Sequence, residues 1–296
     1  MGRSRSLIFI PGNNARFLEK SKTINSDIVC FDLEDSVPSD EKEKAREMIR
    51  NTIQDINKID KSQEILVSVR INAPNSQMIV DDLRKTLVEG IDAVVIPKVE
   101  TDLQIINISE MITTIEKENN ISPGSIKLIP SIESSLGVVN AYSIAISDQR
   151  NSALVFGIFD FLHDMKIDSN DVDLLTGYIY GRSKVPVDAR AAGLDSIDSI
   201  WQSLDDIDGL NKDLILGRKL GYTGKCIIHP SQIDHVHKVF SPTKEDIQWA
   251  KRVVSALDES SHNGSINRGA IKLDGKMIDA VHYKQAKRIL ESIVQK

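Results

Sequence analysis

Short runs of mostly apolar, β-favouring residues recur along the chain, separated by longer stretches whose apolar residues return every three or four positions. The runs are "SLIFIP" (6–11), "DIVCFDL" (27–33), "EILVSVRI" (64–71), "DAVVIP" (92–97), "IKLIPSI" (126–132), "SALVFGI" (152–158), "LDSIDSI" (194–200) and "GKCIIHP" (224–230), the seventh being the weakest. Near-continuous apolar runs of this length read as strands covered on both faces. Between them, "DEKEKAREMIRNTIQDI" (40–56) places Ala45, Met48, Ile49, Ile53 and Ile56 on one side of a helix, with Ser39 or Asp40 as its cap. The segment 75–90 aligns Met78, Ile79, Leu83 and Leu87 and ends in Gly90; 102–119 and 134–147 behave alike.

Eight strand–helix units predict an α/β protein, a closed (β/α)8 TIM barrel. An open doubly wound sheet is the alternative, weakened because no G-x-G-x-x-G follows the first strand. The rhythm stops near residue 240: an amphipathic helix (241–260), a polar, glycine-containing stretch (261–279) and a second helix (282–296) follow. The expected division is a catalytic barrel, 1–240, and a C-terminal helical extension, 241–296, acting as a lid or oligomer arm.

The net charge of −6 over 296 residues argues against sequence-independent nucleic-acid binding, but leaves room for a small basic pocket. Cys30 and Cys226 each sit in an apolar run with no disulfide or metal spacing, so a reducing cytoplasm is expected. No apolar run approaches the ~20 residues that cross a bilayer, so no membrane partner is expected. The start, "MGRSRSLIFIPG", lacks a long apolar secretion core. Its M-G-x-x-x-S acylation pattern is set aside because "SLIFI" reads as a buried strand.

In a barrel of this kind chemistry gathers at the carboxyl ends of the strands. Those ends carry Pro11-Gly12-Asn13, Asp32 with Glu34 and Asp35, Arg70 with Asn72, Lys98, Glu133, Asp160 and His229. Glu133 and Asp160, from adjacent strands, have the chemistry to hold Mg2+, with open positions for a substrate carboxylate and hydroxyl; ordinary loop acids are the other reading. Arg70 either grips a carboxylate or oxyanion or pairs structurally with Asp32 or Glu34. Lys98 reads as a substrate ligand, a Schiff-base lysine or an ion-pair partner, and His229 as a base or a turn residue.

The chain resembles the citrate lyase beta-subunit/malyl-CoA lyase family of the HpcH/HpaI aldolase superfamily. The likeness is carried in order by "RSLIFIPGNNARFLEKS", "CFDLEDSVPSDEKEKAR", "VRINAP", "VVIPKVE", "LIPSIESSLGV", "FGIFD", "DARAAGL", "LGYTGKCIIHPSQI", "VFSPTKEDIQWAKRVV" and "DGKMIDAVHYKQAKRIL". The resemblance implies a (β/α)8 barrel, Mg2+ (or Mn2+ in its place), and reversible carbon–carbon cleavage of a 3-hydroxyacyl-CoA to acetyl-CoA and a keto acid. It implies metal ligands Glu133 and Asp160, Arg70 beside the reacting oxygen, and Glu34 and Asp35 in the "LED" signature orienting metal-bound water. Coenzyme A contacts map to Arg16 and Lys20, with Phe9 and the Cys226–Ile227 backbone nearby. Asp279 maps to an acid that reaches a neighbouring subunit's site, which implies a homo-oligomer, a trimer or hexamer. Phe159, before the ligand, stands where relatives carry an acid, and His163 and Asp164 lie in a usually apolar, small segment. The alternatives are a citrate lyase beta subunit acting on a citryl thioester of an acyl carrier protein, a non-catalytic thioester-binding protein, and a pyruvate-type class II aldolase. The last would need a histidine where Asp35 stands.

Overall fold

The computed structural model describes residues 4–58, 65–167, 178–261 and 270–294. It forms two compact units, Met1–Phe240 and Ser241–Lys296.

In the first unit β1 (Ser6–Pro11), β2 (Ile28–Asp32), β3 (Leu66–Arg70), β4 (Ala93–Ile96), β5 (Lys127–Ile132), β6 (Ala153–Phe156), β7 (Asp195–Asp198) and β8 (Gly224–Ile227) close into a parallel barrel in sequence order, β8 returning to β1. Around it run α1 (Ala15–Ser21), α2 (Lys42–Lys58), α3 (Ile79–Thr86), α4 (Asp102–Glu118), α5 (Ser135–Ile146), α6 (Ile158–Asp164), α7 (Ile179–Ala191), α8 (Ile207–Leu220) and α9 (Ile233–Phe240). The expected fold holds, with strands trimmed by a residue or more at several ends. The third helix begins at Ile79 rather than Asn75, and the chain turns at Gly90, whose φ is 101°.

Strand side chains alternate, and the two sides pack separate cores. Leu7, Ile28, Cys30, Ala93, Val95, Ile129, Ala153, Val155, Ile197 and Cys226 fill the barrel. The opposite parity, including Ile8, Val29, Val67, Val94, Leu128 and Leu154, joins the helices in the outer core with Ala45, Ile49 and Ile53 of α2. Both cysteines are buried and free.

The inward parity places Asp32, Arg70, Glu133 and Ser199 one step above the apolar filling, at the carboxyl end. Arg70 and Asp32 are register partners on neighbouring strands.

The second unit pairs α10 (Lys244–Ser261) with α11 (Ala280–Val294) over Ala250, Val253, Leu257, Ile278 and Ala286. The polar, glycine-containing stretch between the two helices contains an antiparallel hairpin, β9 (Ile271–Leu273) and β10 (Lys276–Ile278); residues 262–269 of that stretch lie outside the described residues. Its turn is Asp274-Gly275 with φ of 50° and 79°, the two positive values a type I′ hairpin requires. No helix among the described residues is long and apolar enough to cross a membrane.

Candidate active site

A cavity of about 590 Å3 opens at the carboxyl end of the barrel. Phe9, Lys20, Asp32, Asp35, Arg70, Glu133, Asp160 and Cys226 all line it. Much of the remaining wall is apolar, from Phe17, Ile24, Phe159, Ile200 and Ile228.

At its floor the Arg70 guanidinium is bidentate to Asp32, Nε to Oδ1 and Nη2 to Oδ2 at 2.7 Å each. Asp32 is fully buried and also accepts the backbone N–H groups of Glu34 (2.9 Å) and Ser36 (3.1 Å). Burial pushes the Asp32 carboxyl up, but the Arg70 charge and these hydrogen bonds outweigh it and hold the group below its usual range. The guanidinium lies 4.6 Å from the Phe9 ring centroid, and its Nη1 is 3.2 Å from Glu34 Oε2. A guanidinium has five N–H donors, and Asp32 takes two of them. Arg70 is therefore fixed by Asp32 and still has donors to offer the cavity, so the structural and the substrate-binding readings of this residue are compatible.

The loop after β2 is clamped from behind. Buried Lys42 donates to the carbonyls of Leu33 (2.7 Å) and Glu34 (3.0 Å) and to Asn72 Oδ1 (2.6 Å). Lys98, just after β4, has a left-handed φ of 52°, a conformation that costs a lysine on the order of 1 kcal/mol and tends to occur at functional sites. Its ammonium reaches Glu34 Oε1 (2.7 Å), Asp35 (3.4 Å) and Asp160 (3.7 Å). Of the readings the sequence left open for Lys98, the geometry selects the ion-pair partner. His229 Nδ1 bonds Ser231 Oγ at 2.8 Å in the turn after β8, while the residue also lines the cavity.

Glu133, directly after β5, is only 5 % exposed. Burial, then repulsion from Glu34 and Asp160, pushes its carboxyl up to about 8, against the pull of Arg70. Asp160, in the first turn of α6, is within hydrogen-bonding reach of it. Gly157 is required beside it: a Cβ there would stand 2.5 Å from Glu133 Cγ.

The donor set suits a hard divalent cation. Among the described residues the ion-pair partners of Asp32, Glu34, Asp35 and Asp160 are Arg70 and Lys98, two cations beside five acids with Glu133, and buried Glu34 Oε2, though in ion-pair range of Arg70, has no hydrogen-bond partner. Among the described residues no three His, Cys, Asp or Glu side chains form a ready-made ligand cluster. Mg2+ does not need one, since it keeps several waters and is commonly held by one or two carboxylates plus its substrate.

Some expected residues lie elsewhere. Arg16 is exposed on α1 and outside the cavity wall, and the Ile227 side chain is buried in the outer core, while Cys226 and Ile228 on either side of its backbone line the cavity. Asp279 belongs to the second unit, where its Oδ1 accepts from the N–H groups of Val281 (3.0 Å) and His282 (3.3 Å), capping α11. The hydrogen bond with the His282 side chain, at 2.7 Å, lowers its pKa. Lys42 and Ser199 escape the sequence reading as site residues, and Asp32, named there among the strand-end acids, is the one that anchors Arg70. Strand parity signals Asp32 and Ser199; no pattern in the sequence signals Lys42.

The model of the family described as HpcH/HpaI aldolase/citrate lyase matches residues 5–230. The citrate lyase subunit beta of Haemophilus influenzae is 34% identical over 97% of this chain and 96% of its own. The mitochondrial citramalyl-CoA lyase of Mus musculus is 31% identical over 97% of this chain and 85% of its own. A crystal structure of CitE from Mycobacterium tuberculosis in complex with magnesium, acetoacetate and coenzyme A is 25% identical with a TM-score of 0.75, covering 98% of both chains.

Proposed function

The chain belongs to the HpcH/HpaI aldolase/citrate lyase family and is an enzyme of its lyase class, and from that premise we propose that it cleaves a 3-hydroxyacyl-CoA such as malyl-CoA or citramalyl-CoA into acetyl-CoA and glyoxylate or pyruvate. The observation that carries this reading is the over-acidic floor of the cavity, where buried Glu133 faces Asp160 and Asp32-anchored Arg70. The magnesium and coenzyme A held by the mycobacterial CitE support it.

Glu133 and Asp160 would hold Mg2+, which supplies Lewis-acid stabilisation of negative charge on oxygen. Arg70 offers its remaining N–H donors to the reacting oxygen, pre-aimed by Asp32 so that little reorganisation is needed. Lys42 and Lys98 fix the Glu34–Asp35 loop, whose carboxylates would orient water at the same point. The apolar wall of Phe17, Ile24, Phe159, Ile200 and Ile228 offers apolar surface from which a bound thioester would displace water, strengthening these electrostatic interactions. Lys20 and Phe9 receive the coenzyme, with exposed Arg16 on the same helix as Lys20 near its phosphates.

Ser241–Lys296 is read as an arm that brings Asp279 to a neighbouring subunit's cavity to exchange a proton with the acyl methyl carbon. The His282 hydrogen bonds hold its carboxyl below the usual range, so it stands in the ionised form that can accept a proton in the synthetic direction, with its basicity lowered by the same bonds. Asp279→Asn, which keeps a good helix cap, should lower turnover by about 10²–10⁴-fold with coenzyme A binding retained. Mixing it with Glu133→Ala should restore part of the activity if the sites are shared between subunits. Normal turnover by Asp279→Asn would remove the arm from the chemistry.

A second reading, the beta subunit of a citrate lyase using a carrier-protein thioester, is favoured by the identity to the Haemophilus influenzae protein. Mass-spectrometric assay with Mg2+, acetyl- or propionyl-CoA and a keto-acid panel separates the two. Product from free CoA supports the first reading; product only from a citryl carrier protein supports the second.

A further inference from the structure

Asp160 sits on a helix that cannot cap itself. The residue at the N-cap of α6 is Gly157, which has no side chain to accept the first helical N–H groups. A serine or aspartate there, the usual solution, is excluded by Glu133, whose Cγ would lie 2.5 Å from any Cβ. A capping side chain at position 157 and the Glu133 side chain thus compete for one space, and the cap must come from elsewhere.

It comes from the next strand. The Ile158 N–H, first of α6, donates to Ser199 Oγ at 3.0 Å. Ser199 follows β7, is 5 % exposed and forms part of the cavity wall. It is held in turn from behind: its N–H donates to Asp198 Oδ1 at 2.9 Å. Asp198 points away from the cavity and is fully buried against Arg182 of α7, Nε to Oδ1 at 3.0 Å and Nη2 to Oδ2 at 2.5 Å. Asp213 of α8 and Lys225 of β8 complete the group, with Arg182 Nη2 2.8 Å and Lys225 Nζ 2.5 Å from the Asp213 carboxylate.

Two acids and two bases balance, yet burying four charges is costly against an apolar filling of the same volume. The outer core around them is otherwise aliphatic and aromatic. A rigid ionic box gains a purpose if the strand end it fixes must be placed accurately. Ser199 is that strand end, and through one hydrogen bond it sets the first turn of α6.

We propose that Ser199, held by the Asp198–Arg182 pair, is a positioning residue that caps α6 across strands and fixes Asp160 toward Glu133. This rests on the reading of Glu133 and Asp160 as the cation's ligands. Ser199 itself contributes no ligand; it orders one.

Calorimetric titration of the full-length chain with Mg2+ tests the proposal without turnover. Ser199→Ala is expected to weaken Mg2+ binding about tenfold, the size of one lost cap, and Ser199→Thr to restore most of it. Should Ser199→Ala fail to fold, Ser199→Cys, of similar size but a weak acceptor, carries the same expectation. A folded Ser199→Ala or Ser199→Cys with reduced melting temperature and unchanged Mg2+ affinity overturns the proposal and leaves a purely structural cap. If the unmodified chain takes up no Mg2+, the ligand reading itself fails, and the positioning role with it.

Discussion

Replacing Glu133 with glutamine, or Asp160 with asparagine, is expected to remove thioester cleavage by more than about a thousandfold, because metal stabilisation of developing charge is worth several kcal/mol. The informative part is what accompanies the loss. Glu133 is held protonated at neutral pH by burial and by Glu34 and Asp160, so glutamine resembles the form already present. The Gln variant should therefore melt at or above the temperature of the parent while losing activity and metal dependence together. Sites shaped for chemistry store such local strain, and relieving it trades function for stability. Full activity of either variant in a chelator would refute the assignment. The measurements are initial rates against Mg2+ concentration and thermal unfolding without metal.

Arg70→Met should show the opposite pairing, losing activity and stability at once. It leaves the Asp32 carboxylate fully buried without its bidentate partner, and Glu34 with Lys98 alone. Breaking a buried pair from one side costs about 3–5 kcal/mol, a fall in melting temperature on the order of 10 °C for a barrel of this size. Arg70→Lys keeps the charge but not the fork, and should recover part of the stability and little of the rate. A pH series separates this pair from general damage. The folded Asp32 pKa is depressed, so its contribution is present above the ordinary aspartate value and is lost as pH falls through the folded one. In Arg70→Met that acid-side loss should shrink. An unchanged melting temperature would mean that the pair contributes little to the fold.

The barrel was legible because apolar runs alternate with helical spacing, and each of the eight runs contains an observed strand. The strand ends were legible as chemistry for a related reason. A charged residue closing an apolar run, as Arg70 closes "LVSV", is costly to place there unless a buried partner or a ligand meets it. What escaped was pairing. "FDLED" offers Arg70 three acids, and only the inward parity and cross-strand register single out Asp32. The hairpin at Ile271–Ile278 was missed although Asp274-Gly275 is a strong turn signal, because the surrounding polar residues masked two three-residue strands. Gly157 stands unremarked near the end of the run "SALVFGI". Its need arises from Glu133, 24 positions earlier, and no local pattern encodes that approach. Lys42 and the Arg182–Asp198–Asp213–Lys225 box sit where helices meet strands, so their roles emerge only when those elements pack.

Joint uptake of one divalent cation by Glu133 and Asp160, at the open end of the barrel, is the step on which the proposed chemistry depends. Titrating the chain with Mg2+ at pH 7 in buffers of different ionisation enthalpy measures it directly. Because Glu133 starts with its pKa at about 8 and must ionise to serve as a ligand, one cation should bind per chain with release of close to one proton, and Glu133→Gln should abolish the release. Absence of binding, or binding with no proton release that Glu133→Gln leaves unaltered, would contradict the account.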